Sequence, residues 1–174
     1  MPLYPAADAD IPAIAEFVNA AYRGDSSRIG WTTEADYLGG QRIDAATLRT
    51  DLAAKPEAML LTLRDSAEGP LLGCVWLEPA ESDHWYLGML TVRPDLQDRQ
   101  LGRWLLSDAE AAARDRGARR ICMTVVNIRD TLIAWYQRRG YVLTGETRPF
   151  PYGDSRFGEP RRDDLSFVVL EKTL

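Results

Sequence analysis

The 174-residue sequence contains few of the residues that build disulfide frameworks or metal centres. It has two cysteines, Cys74 and Cys122, and one histidine, His84. Two isolated thiols in apolar segments form neither a disulfide scaffold nor a cluster of metal ligands. The sequence therefore predicts no metal site, and its cysteine content favours a reducing, cytoplasmic location.

Long apolar runs and excess positive charge are also missing. No segment approaches the ~18 apolar residues that cross a bilayer, and residues 1–10 lack the basic and then apolar pattern of a signal peptide. Lys and Arg total 21 against 26 Asp and Glu, which gives a formal charge of -5. This balance provides no electrostatic footprint for a phosphate backbone. We expect neither a membrane nor a nucleic acid as partner.

Two common phosphate-binding motifs are absent. The sequence has no Gly-x4-Gly-Lys-Ser/Thr, and no Gly-x-Gly-x-x-Gly follows a predicted strand. The first motif is typical of nucleotide hydrolases and the second of enzymes that transfer hydride from a dinucleotide. Neither reaction is favoured here.

The residues that are present indicate one folded unit. Hydrophobic residues make up 45% of the chain, no segment repeats, and no Gly-, Ser- or Pro-rich linker divides it. A chain of this length can bury one sizeable core. We predict a single domain over residues 1–174.

Hydrophobic periodicity predicts the element order β-α-α-β-β-β-α-β-α-β-β. Residues 24–42 and 150–158 lack a sustained period and are predicted as loops that cover a site. Asp44 is predicted to cap the second helix. An interior glycine, Gly88, indicates a bulge or a close backbone approach in the third long strand. The predicted helices run from a cap at Asp8 to Tyr22, from Asp44 to about Leu52, from Leu101 to a stop by Gly117, and over residues 130–139. The predicted strands cover 3–4, 57–64, 71–78, 85–92, 120–126, 141–147 and 165–170.

The junction between the strand that ends at Val92 and the following helix has the character of an anion site. The chain breaks at Pro94 and then runs through residues 97–103 into an amphipathic helix. The start of a helix leaves about four backbone N–H groups unpaired and carries roughly half a positive charge, so it can hold a phosphate. A simple polar turn would give the same short pattern, so the junction alone does not decide between the two.

This junction and its surroundings resemble the GNAT acetyltransferases. Gln97, Leu101 and Gly102 match that superfamily's Gln/Arg-x-x-Gly-x-Gly/Ala loop, with Gln100 in place of the first glycine. We expect Gln100 to hold a helical backbone conformation, which a residue other than glycine tolerates. Asn127 and the segment 134–141 resemble the family's Asn…Ala…Tyr…Gly-Phe/Tyr signature. The resemblance covers nearly the whole chain.

The resemblance implies an α/β (α+β) fold with a mixed, mostly antiparallel sheet flanked by helices. It also implies acetyl-CoA as co-substrate and a primary amine, on a small molecule or a peptide, as acceptor. The acyl-CoA arm would enter a gap beside the strand at 85–92. The residues predicted to bind the cofactor are Leu90, Thr91, Val92, Gln97, Asp98, Arg99, Gln100, Leu101, Gly102, Arg103, Asn127 and Tyr136.

Acetyl transfer to an amine needs a polarised carbonyl, a proton for the departing thiolate and a neutral amine. A backbone N–H at the bulge, assigned to Leu90, can polarise the carbonyl. The resemblance assigns the proton to Tyr136, which would otherwise be a core aromatic. Tyr86 lies on the same strand face as Gly88 and could relay a proton through water. The sequence assigns no general base: His84, Glu78 and Glu81 are equally compatible with a solvated surface.

The two loops are predicted to carry acceptor specificity. The predicted substrate residues are four aromatics, and acidic side chains of the first loop, including Glu34, could attract a cation. The same residues are compatible with ordinary loop packing. The four aromatics are Trp31, Tyr37, Phe150 and Tyr152.

The strand at 166–170 could pair across a homodimer if it lies at a sheet edge. The alternative to an enzyme is an acyl-CoA-binding regulatory or interaction module.

Overall fold

The periodic segments of the sequence form nine strands and four α-helices in a computed structural model that describes residues 1–174. Asp44 caps the second helix as predicted, because its carboxylate accepts the Thr47 backbone N–H at 2.7 Å. None of the helices is long and apolar enough to span a membrane. The helices are α1 (Ile11–Tyr22), α2 (Ala45–Ala54), α3 (Leu101–Arg114) and α4 (Asp130–Gln137). The strands are β1 (Leu3–Pro5), β2 (Leu38–Gly39), β3 (Met59–Leu63), β4 (Gly73–Pro79), β5 (His84–Val92), β6 (Arg120–Val126), β7 (Val142–Pro149), β8 (Glu159–Pro160) and β9 (Ser166–Thr173).

Seven strands form one mixed sheet in the order β1-β3-β4-β5-β6-β9-β7. Only β5 and β6 run parallel, and every other neighbouring pair is antiparallel. The predicted element order and mostly antiparallel sheet are therefore confirmed. The sequence missed β2 and β8, two-residue strands that pair with each other and join the two predicted loops.

The C-terminal strand β9 lies inside the sheet rather than at its edge. It pairs with β6 on one side and β7 on the other. The backbone groups of β9 are thus used within the chain, and the edges of the sheet are β1 and β7. The idea that residues 166–170 pair across a homodimer is wrong for this reason.

Two hydrophobic cores lie on opposite faces of the sheet. Side chains alternate between the faces of a strand, so Leu61 and Val75 pack with α3 while Leu60 and Cys74 pack with α1 and α2. This division places the N-terminal helices on one side of β5 and α3 on the other. Both cores therefore fix the position of β5 and of the loop that follows it.

Helix α3 is held in place by one apolar face. Leu105 is fully buried and Leu106 lies beside it in the core. Trp104, the residue before Leu105, is 47% exposed. The buried face holds the N-terminus of α3 at the end of β5.

Substitution of Leu105 tests this anchoring. Leu105→Ala is expected to lower the free energy of unfolding by about 2–5 kcal/mol, because it leaves a cavity in a packed core. Trp104→Ala removes more atoms from an exposed position and is expected to change stability by only about 0.5 kcal/mol. Urea unfolding of both variants measures the difference. Equal losses would show that α3 does not pack as described.

Candidate active site

A bulge in β5 opens the sheet. Val75 of β4 lies opposite two residues, Met89 and Leu90, because the register passes from Cys74↔Thr91 to Trp76↔Gly88. Met89 takes a positive φ of 53°. This is the irregularity that Gly88 indicated. A side-chain carbon at Gly88 would lie 2.9 Å from the Tyr86 ring, so glycine lets that ring lie across the strand.

Beyond the bulge, β5 and β6 separate. Their parallel pairing covers only three residue pairs and ends at Tyr86↔Cys122. Leu90 therefore lies where β5 no longer has a neighbour on this side. The resulting gap has the location in which the sequence resemblance placed the acyl-CoA arm.

The loop after β5 has an unusual backbone. A short 3₁₀ segment, Pro94–Leu96, is followed by two residues with positive φ, Asp98 (72°) and Gln100 (64°). Gln100 is the N-cap of α3 and lies in the left-handed region. The expected helical conformation at Gln100 is wrong. The loop instead holds glutamine in a conformation that glycine adopts without steric cost, so the glycine-type geometry is kept.

A cleft of about 500 Å³ lies in front of this loop and extends into the gap. Its charged residues are Asp98 and three arginines, Arg103, Arg138 and Arg139, so its net formal charge is +2. Eight predicted cofactor residues line it: Leu90, Val92, Gln97, Asp98, Gln100, Gly102, Arg103 and Tyr136.

Two smaller cavities continue from the inner end of the cleft. A central cavity of about 150 Å³ shares Tyr22, Leu90, Leu132 and Tyr136 with the cleft. An outer cavity of about 240 Å³ shares Tyr86 and other residues with the central one. The three spaces therefore adjoin one another in a row, from the start of α3 past the bulge to the outer cavity.

Two tyrosines lie where the cleft meets the central cavity. The Tyr136 ring is almost fully buried and packs against Trp135 at a centroid distance of 5.0 Å. Burial raises the pKa of Tyr136 well above its usual value, so the phenol keeps its proton at physiological pH. Tyr22 donates a hydrogen bond to the carbonyl of Leu90, and burial raises its pKa as well. A phenolic proton donor and the bulged strand thus meet at one point.

Comparison with known proteins assigns this geometry to a family. The model of the acetyltransferase (GNAT) family matches residues 16–141. This chain belongs to the GNAT acetyltransferase family. The predicted family, enzyme class, acetyl-CoA co-substrate and amine acceptor are confirmed at that level. A search of curated protein sequences gave no match.

Solved structures share the fold of this GNAT acetyltransferase at low sequence identity. A ribosomal-protein-alanine N-acetyltransferase from Brucella melitensis superposes with a TM-score of 0.70 at 19% identity, over 100% of both chains. The yncA protein of Salmonella typhimurium, solved with its cofactor acetyl-CoA, gives 0.69 at 20% identity over 100% of this chain and 94% of its own. An acetyltransferase from Elizabethkingia anophelis with acetyl-CoA bound gives 0.61 at 17%, over 74% and 82%. These likenesses establish the fold.

Four of the predicted cofactor residues do not line the cleft of the GNAT acetyltransferase. Thr91 is buried and donates to the Met89 carbonyl at 2.9 Å, the Leu101 side chain is buried in the core, and Arg99 is exposed and does not line the cleft. The Asn127 amide instead bonds the backbone next to β9: it accepts the Ser166 N–H at 3.0 Å and donates to the Asp164 carbonyl at 3.1 Å. A short motif does not show which way a side chain faces.

Trp31 lines the cleft and neither of the two smaller cavities. It lines the cleft with Trp135 at a centroid distance of 6.3 Å. Its backbone N–H donates to Gln97 Oε1 at 2.9 Å, and Gln97 Nε2 donates to Thr32 Oγ1 at 2.7 Å. Gln97 thus links residues 31 and 32 of the first predicted loop to the loop that precedes α3. The structure therefore places Trp31 beside the start of α3, whereas the sequence predicted it in the acceptor wall.

The other predicted substrate aromatics are divided. Phe150 lines the outer cavity. Tyr37 is buried in a small core with Phe150 and lines none of the three spaces. Tyr152 is 44% exposed, and its hydroxyl accepts the Leu165 N–H at 2.9 Å. Tyr37 and Tyr152 therefore form no acceptor wall, and both serve loop packing instead.

Sequence reasoning missed a group of charged residues beside the central cavity. Glu34 is 97% buried, and its carboxylate pairs with the guanidiniums of Arg23, Arg42 and Arg129. Burial opposes ionisation of Glu34, but the three arginines outweigh it and lower the pKa of the carboxyl. Glu34 is thus neutralised within the protein, so the expectation that it attracts a cation is wrong. Arg23 and Arg42 flank the same loop as Glu34, whereas Arg129 lies 95 positions away, and no local pattern brings it to this carboxylate.

No general base is identified beside the cleft. His84 lies between Asp83 and Glu171, at 3.4 and 3.3 Å, and lines none of the three cavities. Glu78 lies on the outer cavity, paired with Lys55 at 2.8 Å. The further cleft residues that the sequence analysis did not select are Tyr22, Thr32, Thr131, Leu132, Trp135, Arg138 and Arg139. Trp135, Arg138 and Arg139 stand within the recognised segment 134–141 and could have been found there.

Replacement of Gln100 tests the loop geometry. Gln100→Gly is expected to bind acetyl-CoA as tightly as the wild type or more tightly, because glycine adopts the left-handed conformation freely. Gln100→Val is expected to raise the Kd roughly tenfold, since a β-branched residue is strained there by about 1–2 kcal/mol. Calorimetric titration measures both. Weaker binding by the glycine variant would show that the Gln100 side chain itself contacts the cofactor.

Replacement of Trp31 tests its new position. Trp31→Ala is expected to raise the Kd of acetyl-CoA about tenfold, the effect of losing one aromatic contact, and to leave the acceptor KM nearly unchanged. Trp104→Ala, which removes an exposed indole elsewhere, is the matched control. A selective rise in acceptor KM would return Trp31 to the acceptor side.

Proposed function

We propose that this chain transfers an acetyl group from acetyl-CoA to a primary amine by direct attack of the amine on the thioester. The single observation that carries the proposal is the row of adjoining cavities from the α3 N-terminus to the outer cavity, with Leu90 and Tyr136 lining both the cleft and the central cavity. Adjoining spaces fit two substrates that meet where the spaces touch. A module that only binds an acyl-CoA needs no second chamber.

The cofactor end of the row fits a polyanion. The backbone N–H groups at the start of α3 and the net charge of +2 favour phosphate groups. Val92 and Leu132 provide apolar walls, and Trp31 and Trp135 add aromatic surface. Acetyl-CoA, when bound there, supplies the acetyl group as an activated thioester.

The residues at the middle of the row carry the chemistry. The backbone N–H of Leu90 at the bulge polarises the carbonyl oxygen, where negative charge develops. The amine nitrogen forms a bond to the carbonyl carbon as the carbon–sulfur bond breaks. Tyr136 donates its proton to the sulfur and regains a proton from solvent after the transfer. Tyr86 lines the central and outer cavities, and it provides a route by which the amine proton passes through water to solvent.

Three further expectations from the sequence remain proposals. The chain forms a single domain, and its two free cysteines fit a reducing, cytoplasmic location. If a homodimer forms, its contact does not involve β9. The exposed edge strand β7 is available for such a contact.

Removal of the Tyr136 hydroxyl tests its role. Tyr136→Phe is expected to lower kcat about 100-fold, a modest effect for a proton donor because thiolate is a good leaving group, with little change in the Kd of acetyl-CoA. Because its pKa is raised, Tyr136 stays protonated through pH 10, so the wild type should show no alkaline loss of kcat from this group. Thiol release measures both. Tyr4→Phe on β1 is the control, and an unchanged kcat in Tyr136→Phe removes this residue from the mechanism.

A further inference from the structure

The acceptor end of the row of cavities has an excess of positive charge. Around the central and outer cavities, three arginines share the single carboxylate of Glu34, which leaves a formal charge of +2. The remaining charged residues of the outer cavity form two neutral pairs, Lys55 with Glu78 and Arg156 with Asp51. The uncompensated charge therefore belongs to the arginine cluster, defined as Arg23, Arg42 and Arg129.

Arg42 is the member of this cluster that is available to a ligand. It lines both cavities, its side chain is 32% exposed, and its only ion-pair partner is Glu34 at the long distance of 3.6 Å. The Nε atom of Arg42 is buried and has no hydrogen-bond partner. Arg129 is more fully used, because it donates to the Thr32 carbonyl at 2.6 Å and pairs with Glu34. Unpaired guanidinium donors in a chamber favour an anion, which they can bind in a bidentate fashion.

Arg42 also lies close to the reaction centre. Its guanidinium stacks over the Tyr22 ring at 4.7 Å from the centroid, and the hydroxyl of that ring bonds the Leu90 carbonyl. Tyr22 thus lies between the Arg42 guanidinium and strand β5, where the thioester is proposed to bind. The central cavity, at about 150 Å³, is below the ~300 Å³ at which small-molecule sites usually begin. An anion and an amine bound here must be only a few bonds apart.

We propose that the acceptor is a small amino acid, bound through its carboxylate to Arg42, with its amine directed to Leu90 and Tyr136. This inference rests on the proposed function and names the acceptor class of the same site. Glu34 lines the same two cavities, but its carboxylate is already paired with the three arginines. Polyamines and aminoglycosides are poor acceptors because their remaining ammonium groups meet the arginine cluster, and like charges repel.

Matched acceptors test the proposal. The twenty amino acids are compared with their carboxamides and with the amines that lack the carboxylate, for example leucine, leucinamide and 3-methylbutylamine. Thiol release from acetyl-CoA gives kcat/KM, expressed per neutral amine because the compounds differ in amine pKa. At least one amino acid should exceed both analogues by about tenfold or more, the effect of a charge-assisted bidentate contact worth about 1.4 kcal/mol. Amides or simple amines that match or exceed every acid would overturn the proposal.

Variants of Arg42 assign the preference to this side chain. Arg42→Gln should raise the KM of the preferred acid about tenfold and reduce its advantage over the amide to near unity, whereas Arg42→Lys should retain part of it. Arg49→Gln, which removes a similar surface arginine of α2, should match the wild type. A merely structural role for Arg42 would lower activity on acid and amide equally, and that result would contradict the assignment.

The two levels of the hypothesis fail in different ways. Absence of acetyl-CoA binding by calorimetry would refute the proposed function. Binding of acetyl-CoA without transfer to any amino acid, together with transfer to a polyamine or a peptide amine, would refute only the acceptor class. Turnover of amino acids with an acid preference that survives Arg42→Gln would place the carboxylate at another residue.

Discussion

The separation of β5 from β6 is the feature on which the rest of the site depends. A parallel pair would normally continue its hydrogen bonds along the full strands, but the bulge at Met89 and Leu90 ends the pairing after Tyr86. The gap supplies a chamber inside the sheet, and it leaves Leu90 without a strand neighbour on that side. The two cores on opposite faces of the sheet hold the gap open, because α1 and α2 fix one face and α3 fixes the other.

The N-terminal helix joins the two halves of the reaction. Tyr22, at the end of α1, contacts the Leu90 carbonyl with its hydroxyl and the Arg42 guanidinium with its ring. The same residue lines both the cofactor cleft and the central cavity. A movement of α1 would therefore affect the proposed positions of the thioester and of the acceptor together. Gln97 makes a similar link on the cofactor side, where its amide holds residues 31 and 32 against the phosphate loop.

The sequence predicted regular elements and the backbone-based part of the site well, because both follow from local patterns. Helical and strand periodicity gave the order of the main elements, and the break at Pro94 located the loop at residues 97–103, which is predicted to bind phosphate. Side-chain directions in the loops were predicted poorly. Trp31 and Tyr37 stand in one irregular segment, yet one faces the cofactor cleft and the other a small core. Their directions depend on contacts with residues more than sixty positions away, such as Gln97 and Phe150.

By itself, the sequence determined the fold class and the order of the main elements, because helical and strand periodicity are set by neighbouring residues. The acetyl donor followed from the resemblance to the GNAT family, and the role of Tyr136 is a proposal that rests on that resemblance. Only the tertiary structure decided the conformation of Gln100, the internal position of β9 and the charge of the acceptor chamber. The last is the clearest case. In the sequence, Glu34 is an acidic residue of a polar loop. In the structure it is buried beside three arginines, which follow α1, precede α2 and precede α4, so the net charge of the chamber is positive. Electrostatic potential depends on distances in space, and the chain fold sets those distances.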